Sequence, residues 1–210
     1  MKKRSNASYR QKNVGRKKRK IILIVCEGEK TEPNYFDGFR LSVVHAFGTG
    51  KNTLSLVDET TRIKKDFEKE YGKDSIESVW CVFDRDIKKD KSNEDDFDNA
   101  IRKAEKKGYK VAYSNDSFEL WFLLHFKYFD AQITRKQYCE KLTKELNNKY
   151  KKNEVDMYNI LLERQNMAIK NAEKLEKLHD TNKNFIYHKR NPSTSVYKLV
   201  EELNEKILEL

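Results

Sequence analysis

The feature that most constrains the fold is a repeated order of apolar runs, each followed by a helical pattern. Residues 21–26 form a continuous apolar, β-branched run, which is typical of a strand buried on both faces. Further strands are predicted at 52–59, 77–83 and 109–114. Helices are predicted from Thr31 onward and over 58–71, 93–108 and 117–126. This alternation predicts an α/β fold with a parallel sheet flanked by helices.

The C-terminal third follows a different pattern. Helical spacing of apolar residues predicts helices over 134–149, 157–179 and 194–210. We therefore expect an all-helical C-terminal extension, residues 131–210, that packs on an α/β domain formed by residues 21–130.

The charge is concentrated at the N-terminus. The net charge is +10, and residues 1–20 hold ten Lys and Arg with no acidic residue, whereas the rest holds 34 basic and 34 acidic residues. We expect this basic tail to be disordered when free and to bind nucleic acid phosphates, with Lys17, Lys18 and Arg19 among its contacts. A solubility tail is the alternative. Binding to an anionic membrane is less favoured because the tail lacks an amphipathic apolar face.

Composition narrows the class of protein. No apolar run approaches the roughly 18 residues of a transmembrane helix, and the N-terminus lacks the apolar segment of a signal peptide, so a cytoplasmic protein is expected. Cys26, Cys81 and Cys139 are widely spaced, which favours reduced thiols over a disulfide or a zinc site. His125 lies in an apolar helical pattern and is expected in the core.

Acidic side chains follow three of the predicted strands. Glu27 follows the first strand, Asp84 and Asp86 the third, and Asp116 and Glu119 the fourth. Ligands of open parallel sheets bind beyond the carboxyl ends of the strands. If the first and third strands are neighbours, Glu27 and the aspartates converge, and residues two apart in extended chain point to the same side.

Clustered carboxylates repel one another, and a divalent cation relieves that repulsion. With only oxygen ligands in the pattern, Mg²⁺ or Mn²⁺ is favoured over zinc. We expect Glu27, Asp84 and Asp86 to hold the cation. The alternative is that the aspartates cap the next turn or pair with Lys88 and Lys89.

Two further residues are candidate phosphate ligands. Lys30 lies close to Glu27 and could contact a phosphate or neutralise Glu29. Arg190 precedes a predicted helix start and could contact a phosphate or a transition state. The alternative is that the segment is an ordinary cap on an amphipathic helix. The glycine-rich stretch at 48–53, "GTGKNT", lacks the spacing of a nucleotide-binding P-loop, so any ATP hydrolysis would come from a partner.

The stretches "IVCEGEKTEPNYF", "VFDRD", "SNDSFELWFLLHF" and "NPSTSVYKLV" resemble, in this order, the RloB-like proteins of bacterial abortive-infection and restriction loci. That family is similar to the TOPRIM fold of topoisomerases, primases and OLD-type nucleases. The resemblance implies metal-dependent phosphodiester chemistry, with Glu27 as acid/base or metal ligand and Asp84 and Asp86 as metal ligands. Glu119 matches a Phe-Glu motif of the family and is a further candidate ligand.

Three hypotheses follow from these patterns. The first is a Mg²⁺-dependent TOPRIM-type nuclease that acts on DNA or RNA in defence against phage. The second is a non-catalytic nucleic-acid-binding or sensor subunit whose helical C-terminus docks a partner ATPase. The third is a phospho-accepting receiver domain, which is disfavoured because the chain continues well beyond the length of that fold.

Overall fold

The computed structural model describes residues 20–85 and 94–209, and within these ranges five strands form one sheet. The strands are β1 (Ile21–Cys26), β2 (Val44–Gly48), β3 (Ile76–Asp84), β4 (Lys110–Asn115) and β5 (Ser193–Thr194). Their order across the sheet is β2-β1-β3-β4-β5. The first four strands run parallel, and β5 runs antiparallel to β4. The first and third strands are neighbours, so the condition for bringing Glu27 and Asp84 to one edge is met.

Helices connect and cover the strands. Those in the described ranges are α1 (Thr31–Asp37), α2 (Thr53–Tyr71), α3 (Glu94–Lys106), α4 (Glu119–Leu124), α5 (Arg135–Glu145), α6 (Met157–Leu161), α7 (Gln165–Thr181) and α8 (Val196–Glu209). Single turns of 3-10 helix lie at Leu162–Arg164 and Tyr187–Lys189. The predicted α/β class, with a mostly parallel sheet and C-terminal helices, is confirmed.

Strand β1, which lies between β2 and β3, explains why the sheet has helices on both faces. All six of its side chains are buried, and successive side chains point to opposite faces. Ile22 and Ile24 join the core beneath α1 and the helices from α4 to α8. Leu23 and Val25 join the core beneath α2 and α3. The continuous apolar run of β1 therefore reflects two separate cores.

One predicted strand is a helix. Residues 52–59 were expected to form a short strand, but Asn52 is the N-cap of α2 and its side chain accepts a hydrogen bond from the backbone N–H of Ser55. Leu56, Val57 and Thr60 form the buried side of α2, which has the spacing of a helix. The second strand is β2, which pairs in parallel with β1 and lies at one margin of the sheet.

The C-terminal segment contains the predicted helices and also a short strand. Strand β5 pairs with the end of β4, where Ser114 lies opposite Thr194. Beyond β5, the side chain of Ser195 takes the place of a further strand residue in pairing with β4. Its hydroxyl accepts a hydrogen bond from Tyr113 N at 2.9 Å and donates one to Val111 O at 3.1 Å. The prediction that residues beyond 131 are helical throughout is therefore wrong at β5.

Packing joins these C-terminal elements to the rest of the chain. Helix α4 packs against α5 and α7, and α8 packs against β4. All three cysteines are free thiols, with Cys26 and Cys81 buried. Within the described ranges, no helix combines the length and the apolar character that crossing a membrane requires.

Candidate functional site

The carboxyl ends of β1 and β3 lie side by side. Cys26 pairs with Val82 in the parallel register, and the N–H of Glu27 donates a hydrogen bond to Val82 O at 2.8 Å. Asp84 is the last residue of β3. The two chain positions that the sequence singled out therefore leave the sheet at the same edge.

A cavity of about 580 Å³ opens at this edge. It is lined by Glu27, Gly28, Glu29, Lys30, Thr31, Glu32, Gly50, Lys51, Asn52, Asp84, Phe118, Glu119, Arg135, Lys152 and Asn153. The structure thus brings together Glu27, Asp84, Glu119 and Lys30 from the predicted set. Glu32, Lys51, Arg135 and Lys152 were not predicted.

Asp84 is buried at the floor of the cavity. Its Oδ2 atom accepts a hydrogen bond from the backbone N–H of Phe118 at 3.0 Å and lies 2.8 Å from Nη2 of Arg135. Burial raises the pKa of Asp84 well above its ordinary value, and repulsion from Glu32 adds to that effect, whereas the Arg135 charge opposes it. The site therefore holds Asp84 in a position where its negative charge is costly unless a cation is near.

Glu119 begins α4 and is almost completely buried. Its Oε1 accepts a hydrogen bond from the Tyr150 hydroxyl at 3.4 Å, and its Oε2 lies 3.7 Å from Nε of Arg135. A carboxylate in the first turn of a helix also interacts favourably with the helix dipole. This position is compatible with both roles considered for Glu119: a carboxylate that stabilises the start of α4 and a carboxylate that serves the site.

Glu32 is a further buried carboxylate that the sequence analysis missed. It lies in the first turn of α1, and burial raises its pKa, with repulsion from Glu119 as an additional cause. Gly28 lies against it, because an added Cβ atom at Gly28 would come within 2.0 Å of Glu32 Oε2. The sequence does contain a signal for Glu32. It lies in the first turn of the helix that follows β1, five residues after Glu27, and that spacing places it at the same edge of the sheet.

Arg135 supplies a positive charge between these carboxylates. It is the first residue of α5, whose start is fixed by a capping box: Thr134 accepts a hydrogen bond from Gln137 N, and the Gln137 side chain accepts one from Thr134 N. This backbone arrangement directs the start of α5 toward the cavity.

Lysines surround the mouth of the cavity. Lys30, Lys51 and Lys152 line it and are exposed to solvent, in contrast to the buried carboxylates. Lys152 reaches the site because its neighbour Asn153 accepts a hydrogen bond from the Thr31 hydroxyl at 2.9 Å. Gly50 and Lys51 belong to the glycine-rich stretch that was rejected as a P-loop, and they form part of the wall.

The remaining predicted residues lie elsewhere. Asp86, Lys17, Lys18 and Arg19 fall outside the described residues. Arg190 is buried away from the carboxylates, where Nη2 contacts Asp180 Oδ1 at 2.7 Å and Nε donates to Asn184 O at 2.6 Å. It lines a separate cavity of about 740 Å³. The structure does not bring Arg190 to the candidate site.

The carboxylates of the cavity are of the type that binds a divalent cation such as Mg²⁺. Within the described ranges, no three His, Cys, Asp or Glu side chains already form a group that could hold a metal ion. Mg²⁺, however, is usually held by one or two carboxylates together with water and substrate phosphates. Asp84 and Glu119, both in contact with one guanidinium, provide oxygen ligands of that type. The residues present fit a Mg²⁺ or Mn²⁺ ion.

Comparison with known proteins places this site within a family. No curated protein and no solved structure matches the chain. A family model described as RloB-like protein matches residues 22–203, a range that extends from β1 to α8 and includes every residue that lines the cavity. The chain therefore belongs to the RloB-like protein family.

Proposed function

We propose that this protein is a metal-dependent nuclease that hydrolyses phosphodiester bonds of DNA or RNA with Mg²⁺ or Mn²⁺. The observation that carries the proposal is that one cavity has negative side chains at its floor and positive side chains at its mouth. Glu32, Asp84 and Glu119 are buried at its floor, whereas lysines are exposed at its mouth. Such a cavity suits a substrate with several phosphates together with a cation between the phosphate and the protein.

Each group has a role in this proposal. Glu27, Asp84 and Glu119 would hold the cation, with Asp86 as a further ligand by its spacing from Asp84. A bound divalent cation supplies polarisation of the scissile phosphate and a lowered pKa for an attacking water. Glu27 would accept the proton of that water. Lys30, Lys51 and Lys152 would bind phosphates on either side of the scissile bond.

The wider role is proposed on the basis of the family. The resemblance to proteins of abortive-infection and restriction loci supports a role in defence against phage in the cytoplasm. The ten cations of residues 1–20 would add sequence-independent affinity for the nucleic acid.

One observation favours a second candidate function. Arg135 already neutralises part of the charge of Asp84, as expected for a site that works without a metal ion. In that case the protein would be a non-catalytic nucleic-acid-binding or sensor subunit that works with a partner ATPase. The absence of cleavage products together with firm nucleic acid binding would support this candidate.

The decisive experiment is a cleavage panel. Single- and double-stranded DNA, RNA and tRNA are incubated with the protein and Mg²⁺ or Mn²⁺, with and without chelator. Glu27→Gln and Asp84→Asn are expected to reduce cleavage by at least about 100-fold while nucleic acid binding survives. Asp74→Asn is the matched control, because Asp74 precedes β3 at the opposite end and is exposed.

Two results would overturn the proposal. One is a complete lack of metal-dependent cleavage across the panel. The other is equal cleavage by the wild type and by the Glu27 and Asp84 variants, since the products would then come from a contaminant or from another site.

A further inference from the structure

One guanidinium contacts two carboxylates that come from different elements of the fold. Arg135 Nη2 lies 2.8 Å from Asp84 Oδ2 at the end of β3, and Arg135 Nε lies 3.7 Å from Glu119 Oε2 at the start of α4. Asp84 and Glu119 are candidate ligands of the divalent cation. The guanidinium therefore stands where a cation shared by these two carboxylates would bind.

The three side chains differ in their access to solvent. The Arg135 side chain is 36% exposed, whereas those of Asp84 and Glu119 are 9% and 3% exposed. The carboxylates are also fixed from behind, because Asp84 accepts a hydrogen bond from Phe118 N and Glu119 accepts one from the Tyr150 hydroxyl. The arginine is thus the partner with the most access to solvent, and the two carboxylates are the buried ones.

The Arg135 guanidinium and a divalent metal ion would each balance the charge of the same buried carboxylates, so they would compete with each other. Asp84, Glu119 and Glu32 are buried close together, and such a cluster is unstable without a positive charge beside it. Arg135 provides that charge in the structure. A divalent cation that binds Asp84 would provide it instead, and it would compete with the guanidinium for the same Oδ2 atom.

The displaced guanidinium has a suitable second partner. Arg135 lines the same cavity as Lys30 and Lys152, which are exposed to solvent. The planar guanidinium donates two parallel hydrogen bonds to a phosphate, which a lysine ammonium cannot do. Release from Asp84 would therefore turn an internal ion pair into a substrate contact.

From these contacts we propose that Arg135 is a phosphate ligand of the substrate that rests on Asp84 and Glu119 until a divalent cation replaces it. This inference rests on the proposed function and deepens it. Metal binding would release the arginine, and the released arginine would increase affinity for a nucleic acid phosphate. The site would then be assembled for cleavage only when cation and nucleic acid are both present.

The first test measures Mn²⁺ affinity by calorimetry without nucleic acid. Arg135→Gln removes the competitor and is expected to bind Mn²⁺ about three- to tenfold more tightly than wild type. Lys152→Gln also removes one positive charge from the cavity, but it leaves the ion pair between Arg135 and Asp84 in place, so a smaller change is expected. Lys136→Gln, at the exposed neighbour of Arg135, is expected to match wild type.

The second test measures binding of a short single-stranded oligonucleotide by fluorescence anisotropy, within a time in which cleavage is negligible. Mn²⁺ is expected to tighten binding by wild type more than binding by Arg135→Gln. Arg135→Lys keeps the charge but not the planar fork, so it is expected to bind Mn²⁺ like wild type and the oligonucleotide more weakly. This variant keeps the test valid if Arg135→Gln does not fold.

The outcomes separate the inference from the proposed function. Equal Mn²⁺ affinity of wild type and Arg135→Gln, or an equal gain in Lys152→Gln, would overturn the role of Arg135 and leave the nuclease proposal intact. Failure of wild type and all variants to bind Mn²⁺ would overturn both.

Discussion

Gly28 and Glu32 are in such close contact that a Cβ atom at position 28 would lie 2.0 Å from Glu32 Oε2. Gly28 directly follows Glu27, and Glu32 lies in the first turn of α1, so the contact joins the end of β1 to the helix after it. Because Glu32 is buried, its carboxylate can move away only into the cavity that it lines. The missing side chain at Gly28 is thus what allows a third carboxylate into the floor of the cavity.

Gly28→Ala tests this contact through stability. We expect the substitution to lower the free energy of unfolding by about 1 kcal/mol or more, because the methyl group overpacks against Glu32. In a Glu32→Ala background the same substitution should cost less than about 0.5 kcal/mol, since the clash is gone. Urea unfolding of the four proteins measures both values, and an equal cost in both backgrounds would contradict the prediction.

The exposed lysines at the cavity mouth should carry nucleic acid affinity. Replacement of Lys30, Lys51 and Lys152 by Ala is expected to weaken binding of a single-stranded oligonucleotide. The slope of log affinity against log salt should fall by about 2, because about three phosphate contacts are lost. The matched control replaces Lys73, Lys106 and Lys107, which are exposed and precede β3 and β4 at the other end of the sheet. Binding titrations over a salt series decide the matter, and equal slopes for the two triple variants would refute it.

The C-terminal helices should unfold together with the sheet. Leu175 of α7 is fully buried in the core that also contains Ile22 and Ile24 of β1. Leu175→Ala is expected to cost about 2–5 kcal/mol and to shift a single transition. Trp80 and Trp121 are buried and both belong to residues 21–130, so their fluorescence reports on the unfolding of the α/β part. A fluorescence midpoint that stays at its wild-type value would show that residues 131–210 fold as a separate unit.

His125 should make stability depend on acid pH. It is fully buried, as predicted, with its ring 4.8 Å from that of Trp121, and burial lowers its pKa from 6.5 to about 4. The unfolded chain takes up the proton below pH 6.5 while the folded chain resists it. The contribution of neutral His125 is therefore complete above pH 6.5 and is lost as the pH falls toward 4.

The difference between wild type and His125→Phe isolates this contribution from other titrating groups. We expect the difference in their unfolding free energies to change by about 3 kcal/mol between pH 7 and pH 4, with wild type losing stability. Urea unfolding at several pH values provides the measurement. Parallel stability curves for the two proteins would show that His125 does not titrate in this way.

The central part of the fold was predictable because its signals are local and strong. Strand β1 and most of β3 are continuous apolar runs, and the acidic residues at their ends follow directly in the sequence. Parallel pairing then brings Glu27 and Asp84 to one edge. Residues 52–59 were misread because a short apolar run fits a strand and a helix equally well, and the Asn52 cap that decides between them is a single hydrogen bond.

The rest of the site was not predictable because it depends on long-range packing. Arg135 and Lys152 come from segments with no local pattern that distinguishes them from other surface cations. They reach the cavity only because α5 packs on α4 and because Asn153 bonds to Thr31. Arg190 was expected at a phosphate site. It precedes a segment that could bind a phosphate by its sequence, but its side chain forms an ion pair with Asp180.

The hydroxyl of Ser195 has a consequence for self-association. A strand as short as β5 would leave backbone groups of β4 open to pairing with another molecule, which is a common start of aggregation. The hydroxyl of Ser195 occupies the N–H of Tyr113 and the C=O of Val111, so an approaching chain finds both groups already taken. One serine side chain thus blocks intermolecular strand addition along this stretch of β4 and lets the backbone turn at once into α8.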